Sequence, residues 1–166
     1  MNNVDAKWHR RSAKGLSRVA YFHQEQASIV RKYSAPPNYT LSEFREWMFS
    51  QPNFNELYYA WIESGYQKSL KPSADRLNDY KPYTLKNLRL VTWEENNRKG
   101  ALDRRNGINN KKSLTTRQYD LNGKFLKEYY SMKQASRETG ITYRGIAFAC
   151  CGERKTSGGF IWRLLK

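Results

Sequence analysis

Cysteine is almost absent from this chain of 166 residues: Cys150 and Cys151 are the whole complement, and they are adjacent. Adjacent cysteines are poorly placed to bridge each other. Without a C-x-x-C pair the sequence offers neither a disulfide framework nor a thiolate zinc site, so a reducing, cytoplasmic setting is expected. Histidine is equally scarce, with only His9 and His23, which leaves few imidazoles for proton transfer. No apolar run is long enough to span a bilayer and no signal peptide follows Met1, so a membrane is not an expected partner. Acid is the minor charge, with 15 Asp/Glu against 30 Lys/Arg and a formal net of +15.

Aromatic residues are plentiful. Five Trp and twelve Tyr help make up 14% aromatic content, enough bulk for a core despite the polar average, so the charge excess does not signal disorder. It signals a polyanionic partner, and nucleic acid is the commonest one. The excess is uneven: from Arg98 onward sixteen Lys/Arg stand against five Asp/Glu, a net of +11.

Residues 1–15 read as a loose basic arm. A helix is expected over Leu16–Tyr33, with Leu16, Val19, Ala20, Ala27 and Val30 on one apolar stripe and His23 structural upon it; Pro36-Pro37 ends it. Thr40-Leu-Ser-Glu43 has capping-box spacing, in which two side chains satisfy free N–H groups at a helix start. Phe44, Trp47 and Met48 follow at helical intervals. After Pro52, Phe54, Leu57, Tyr58, Trp61 and Ile62 mark a further helix that Gly65 can stop. These aromatic stripes read as core.

The stretch 101–117 has little periodicity and many cations, and reads as an extended basic linker, solvated or tracking DNA phosphates. Residues 118–166 are better patterned. Tyr119, Leu121, Phe125 and Tyr129 flank Asn122-Gly123, a hairpin signal. Ser131-Met-Lys-Gln134 is a second capping box, opening a helix that ends at Gly140, and Thr142 can cap another through about Ala149. "GGFIWRLL" closes the unit as a strand. Two helices about a glycine-containing turn resemble a helix-turn-helix.

Between these parts lies "PSADRLNDYKPYTLKNLRLVTWEENNRKG", Pro72–Gly100. Ser73–Leu77 and Leu88–Val91 can form strands, and Thr92-Trp-Glu-Glu95 can cap a helix containing Asn96. Asp75, at the end of one strand, and Asn96, in the first turn of the helix, can then face each other. Oxygen ligands of this kind suit Mg²⁺ or Mn²⁺. Read without that context, an Asp-Arg pair is a salt bridge and asparagines are loop residues.

"DRLNDYKPYTLKNLRLVTWEEN" resembles the ββα-metal motif of HNH endonucleases of the phage and intron-encoded homing type, and "QYDLNGKFLKEYYSMKQASRETGI…CCGERKTSGGFIW" resembles the modular DNA-binding repeat often appended to them. Together the two cover about residues 67–166. The resemblance implies one Mg²⁺ or Mn²⁺ ion held by Asp75 and Asn96, no zinc, and Asn87 bracing the loop. Asn97 is a rival for Asn96, but points about 100° around the helix.

One departure stands out. Arg76 occupies the place where the family has its catalytic His. A guanidinium stays protonated and cannot accept a proton from water, although it could clamp the scissile phosphate as a catalytic residue. Losing general-base help typically costs ~10²–10⁴-fold. Neither His9 nor the nearby Asp79, Glu94 and Glu95 is a convincing substitute, and activation by the metal ion alone is the preferred reading.

The expected fold is α+β: an N-terminal helical region at 1–66, an HNH-like ββα motif at 67–100, the basic linker at 101–117, and a hairpin plus helix-turn-helix-like unit at 118–166. The expected function is a metal-dependent endonuclease of double-stranded DNA, phage-encoded, without a small-molecule cofactor and favoured as a monomer. DNA contacts are expected from Arg98, Lys99, Arg104, Arg105, Lys111, Lys112 and Arg117, and from Thr142, Tyr143, Arg144, Arg154 and Lys155. The competing reading is a catalytically inactive DNA-binding regulator that keeps the nuclease fold. An RNA-binding module has no signature to support it.

Overall fold

The computed structural model describes residues 9–30 and 35–165. Local signals set its first helices, α1 Ala13–Val30, α2 Leu41–Ser50 and α3 Phe54–Glu63. At the start of α2, Thr40 Oγ1 accepts from the Glu43 N–H at 3.2 Å and Glu43 Oε2 accepts from the Thr40 N–H at 2.6 Å, the expected reciprocal cap. Gly65, at φ +70°, follows the end of α3.

The buried stripe of α1 differs from the expected one. Leu16, Ser17, Gln24 and Ser28 are buried, while Val30 is 82% exposed and His23 faces solvent. Steps of four residues from Leu16 lead through Ala20 to Gln24 and Ser28, and His23 lies about 100° off that line. Polar residues can take the inner face because they are bonded: the Tyr39 hydroxyl donates to Gln24 Oε1, and Ser28 Oγ donates to the Gln24 carbonyl at 2.9 Å. Residues 31–33, the rest of the expected helix, lie outside the described residues, as do residues 1–8 of the expected arm.

The chain divides into two units, residues 1–101 and 102–166. In the first, Leu16, Tyr39, Phe44, Met48, Phe54, Trp61, Tyr83, Leu88 and Leu90 form one buried cluster. The aromatic stripes therefore belong to the core, with Tyr39 stacked on Phe44 and Phe54 on Tyr58. Strands β1 Pro72–Arg76 and β2 Leu88–Thr92 pair antiparallel, placing Asp75 opposite Arg89 and Arg76 opposite Leu88. Helix α4, Trp93–Arg105, follows at once. Thr92 Oγ1 accepts from the Glu95 N–H at 3.1 Å, Glu95 Oε2 accepts from the Thr92 N–H at 3.0 Å, and the Trp93 N–H donates to the Lys71 carbonyl at 2.8 Å.

Here the expected linker is corrected. Residues 101–105 continue α4 instead of extending, since Ala, Leu and Arg are strong helix formers. At the other end, Thr116 and Arg117 already belong to a strand.

In the second unit, β3 Thr116–Tyr119, β4 Phe125–Tyr129 and β5 Ile161–Leu164 form a sheet in the order β4-β3-β5. Gly123, at φ +85°, sits in the expected hairpin turn, where Asp120 Oδ1 accepts from the Asn122 and Lys124 N–H groups. Helices α5 Met132–Thr139 and α6 Tyr143–Cys150 follow. Ser131 caps α5 through the Gln134 N–H, but Gln134 Oε1 reaches the Tyr130 N–H, one residue before the group a capping box would bind. Tyr129, Ala135, Ile146, Ala149 and Trp162 make the second core. Among the described residues no helix is long and apolar enough to cross a membrane.

Candidate metal and nucleic-acid site

Successive side chains of a strand point to opposite faces. Ser73 and Asp75 therefore share one face of β1, with Arg89 across the ladder from Asp75. Asn96, in the first turn of α4, donates from Nδ2 to Ser73 Oγ at 3.0 Å, which lays its amide against that face. Asp75 is 5% exposed, and its Oδ2 accepts from Arg89 Nε at 3.0 Å and pairs with Arg89 Nη2 at 2.9 Å. Burial pushes its carboxyl above the ordinary carboxylate value, opposed by the Arg89 hydrogen bond and by the charges of Lys99 and Arg89.

Could these residues hold a hard divalent cation? Among the described residues no group of three or more His, Cys, Asp or Glu is arranged for a metal ion, so an all-carboxylate cage is not available. The donor chemistry that remains fits Mg²⁺, which needs few protein oxygens and keeps several waters. Both contacts of Asp75 fall on Oδ2, and the bond from Asn96 uses Nδ2. The buried side-chain polar atom left without a partner among the described residues is Trp61 Nε1. Oδ1 of Asp75 and Oδ1 of Asn96 accept no hydrogen bond among the described residues.

Asn87 is 7% exposed and ties the 77–83 loop together. Its Oδ1 accepts from the Asn78 N–H at 3.0 Å, and its Nδ2 donates to the carbonyls of Asn78 at 3.1 Å and Pro82 at 3.0 Å. Arg76 joins the same loop. It is 5% exposed, donates to the Lys81 carbonyl at 3.0 Å and to Asp79 Oδ1 at 3.1 Å, and lies over the Tyr83 ring at 4.7 Å. By strand alternation it leaves β1 on the face opposite Asp75. Its guanidinium is already engaged by the loop, on the Lys81 carbonyl, Asp79 Oδ1 and the Tyr83 ring, so the expected phosphate clamp would have to compete with those contacts.

Arg89 escaped the sequence reading. Its signal was available: in a β1–β2 hairpin an arginine inside "NLRLVT" can fall opposite Asp75, but only the strand register shows that it does.

The expected DNA contacts divide into exposed and committed groups. Arg98, Arg104, Arg105, Lys111, Lys112, Arg144, Arg154 and Lys155 are exposed, Tyr143 is 46% exposed, and Lys99 is half-buried. Arg144 and Arg154 both approach the Phe148 ring, at 6.0 and 5.4 Å. Arg117 is paired with Glu128 at 2.7 Å across β3–β4. Thr142 caps α6, its Oγ1 accepting from the Gly145 N–H at 3.2 Å.

Comparison with known proteins gives three similarities. Residues 118–147 match the NUMOD1 domain. Over 45 residues the chain is 47% identical to "Uncharacterized HNH endonuclease L245" of Acanthamoeba polyphaga mimivirus, covering 27% of this chain and 14% of that protein. A solved structure described as DNA binding and cleavage by the HNH homing endonuclease I-HmuI is similar at a TM-score of 0.32, with 23% identity over 57% of this chain and 58% of that one. The chain thus spans less than two thirds of either protein's length. Residues 118–147 thus match the NUMOD1 domain, and a 45-residue stretch of the chain is similar to a protein described as an HNH endonuclease.

Proposed function

We propose that this chain is a metal-dependent endonuclease of double-stranded DNA, with Asp75 Oδ1 and Asn96 Oδ1 holding one Mg²⁺ or Mn²⁺ ion. The observation that carries the reading is the Asn96–Ser73 hydrogen bond of 3.0 Å, which sets an amide with a free oxygen against the face of β1 that bears the buried Asp75. When bound, the ion would supply charge stabilisation at the scissile phosphate and acidify a coordinated water. The chain's own residues do the rest. Asn87 and Arg76 fix the loop that follows β1. The exposed cations of residues 98–117 and of α6 would hold the duplex through its phosphates, with salt-sensitive affinity. Tyr143 and Arg144, at the exposed start of α6, are placed to reach base edges.

Arg76 favours a second reading. With no imidazole at that position and its guanidinium tied into the loop, a DNA-binding regulator that keeps the fold without cleaving fits the same geometry. Plasmid incubation with Mg²⁺ or Mn²⁺ separates the two. Nicking that disappears with chelator and with Asp75→Asn supports the nuclease. DNA binding without nicking by the parent protein supports the regulator, and equal nicking by parent and variant removes Asp75 from the chemistry.

A further inference from the structure

The metal reading leaves a second cation unexplained. Arg89 places two guanidinium nitrogens, at 3.0 and 2.9 Å, on the carboxylate proposed to bind a metal ion, yet its own side chain is 43% exposed. These contacts, together with the electrostatic influence already described, account for Asp75. A carboxylate as buried as Asp75 is costly to leave without a counter-charge; the charge of Lys99 contributes, and Arg89 is the cation hydrogen-bonded to it. Arg76, by contrast, is spent on the loop on the opposite face. The two oxygens of Asp75 are therefore unequal: Oδ2 carries the arginine fork, and Oδ1 accepts no hydrogen bond among the described residues.

Resting on the metal reading above, we infer that Arg89 is a stand-in counter-ion for Asp75 that a divalent cation displaces, freeing its guanidinium to take a phosphate oxygen of the bound backbone. Two features support the exchange. A divalent ion on Asp75 and a guanidinium on the same carboxylate are like charges within a few ångströms, and their repulsion weakens both. The exposed half of the arginine side chain gives it a path to solvent, and a planar fork that grips a carboxylate grips a phosphate equally well. Arg89 is then a positioning residue whose two partners, Asp75 and phosphate, are taken in turn. The consequence is linkage: DNA and metal ion each strengthen the binding of the other, because DNA draws away the arginine that competes with the ion.

The test reads metal binding and side-chain protection instead of turnover. Mn²⁺ affinity is measured by paramagnetic resonance on the full chain, without DNA, for the parent, Arg89→Gln and Asp75→Asn. Arg89→Gln is expected to bind Mn²⁺ about fivefold or more tightly than the parent, the low end of ordinary coupling between sites, while losing affinity for a duplex. Asp75→Asn should lose the site. Equal Mn²⁺ affinity in the parent and Arg89→Gln, with Asp75→Asn still defective, overturns the exchange and leaves the metal reading standing. Undiminished Mn²⁺ binding by Asp75→Asn instead overturns the metal reading and the exchange with it. Should Arg89→Gln not fold, the parent decides alone. The Arg89 Nε–H should be protected from solvent exchange in metal-free protein and lose that protection at saturating Mg²⁺; protection that persists while the Asn96 amide signals report bound ion overturns the proposal.

Discussion

Replacing Asn87 by alanine should destabilise the first unit by about 2–3 kcal/mol, because its side chain makes three hydrogen bonds from a buried position. The amide accepts from the Asn78 N–H and donates to the carbonyls of Asn78 and Pro82. Each such bond contributes about 1 kcal/mol net, and a buried group left without its partner costs about 1–3. Asn78 is exposed, so water can replace the amide there, whereas Pro82 is half-buried and its carbonyl suffers more. Arg76 still holds the loop through Lys81 and Asp79, which keeps the estimate from rising further. Against a typical domain stability of about 5–15 kcal/mol the loss is large without being lethal.

Aspartate at this position sharpens the test. Asn87→Asp keeps the acceptor for the Asn78 N–H but turns a carboxylate oxygen toward two carbonyls about 3 Å away, with no proton between them. It should cost at least as much as alanine at neutral pH and recover in acid, where a protonated carboxyl can donate. In sign terms, the folded state would raise that carboxyl's pKa, so the stability is present at low pH and lost as pH rises through the raised value. Amide hydrogen exchange of the β1–β2 ladder, compared across urea concentrations, measures the change in this unit. An alanine variant within about 0.5 kcal/mol of the parent, or an aspartate variant more stable than alanine at pH 7, would refute the hydrogen-bond account.

Two further outcomes follow from the second unit. Gly140 closes α5 at φ +74° with no atom within 4 Å of where a Cβ would stand, so Gly140→Ala should cost about 1–2 kcal/mol through backbone strain alone; thermal melting of the variant checks this, and an unchanged melting temperature would count against a left-handed cap. Burial pushes the Cys150 thiol up to about 11, which leaves roughly one thiolate per thousand at pH 8. Alkylation followed by mass spectrometry should therefore modify the exposed Cys151 first, with Cys150 gaining reactivity only as pH climbs toward that value.

What was legible in the sequence was chiefly local. The caps at Thr40, Thr92 and Thr142 and the Asn122-Gly123 turn depend on residues a few positions apart, and each is in place. Less local features were harder to read. The C-terminal end of helix α4 is not visible in the sequence because the helix buries no side chain, and a helix without a buried stripe leaves no apolar period to count. The stripe of α1 was misplaced because Ser17, Gln24 and Ser28 occupy inner positions, which hydropathy cannot credit without knowing that Tyr39 arrives to bond one of them.

The two arginines of the hairpin make the same point about the site. Arg76 sits where a catalytic group is expected and drew the attention, while Arg89 looked like an ordinary strand residue. Pairing reverses their parts. One position along β1 separates Asp75 from Arg76 and sends their side chains to opposite faces, whereas fourteen residues of sequence separate Asp75 from Arg89 and the ladder sets them opposite one another. Adjacency in sequence is not contact in the fold: the guanidinium on the Asp75 carboxylate is that of Arg89. A strand register shifted by one residue would undo the match, turning Arg89 toward the core and leaving Asp75 without its hydrogen-bonded counter-ion, so pairing that buried carboxylate itself helps to hold the register of the hairpin.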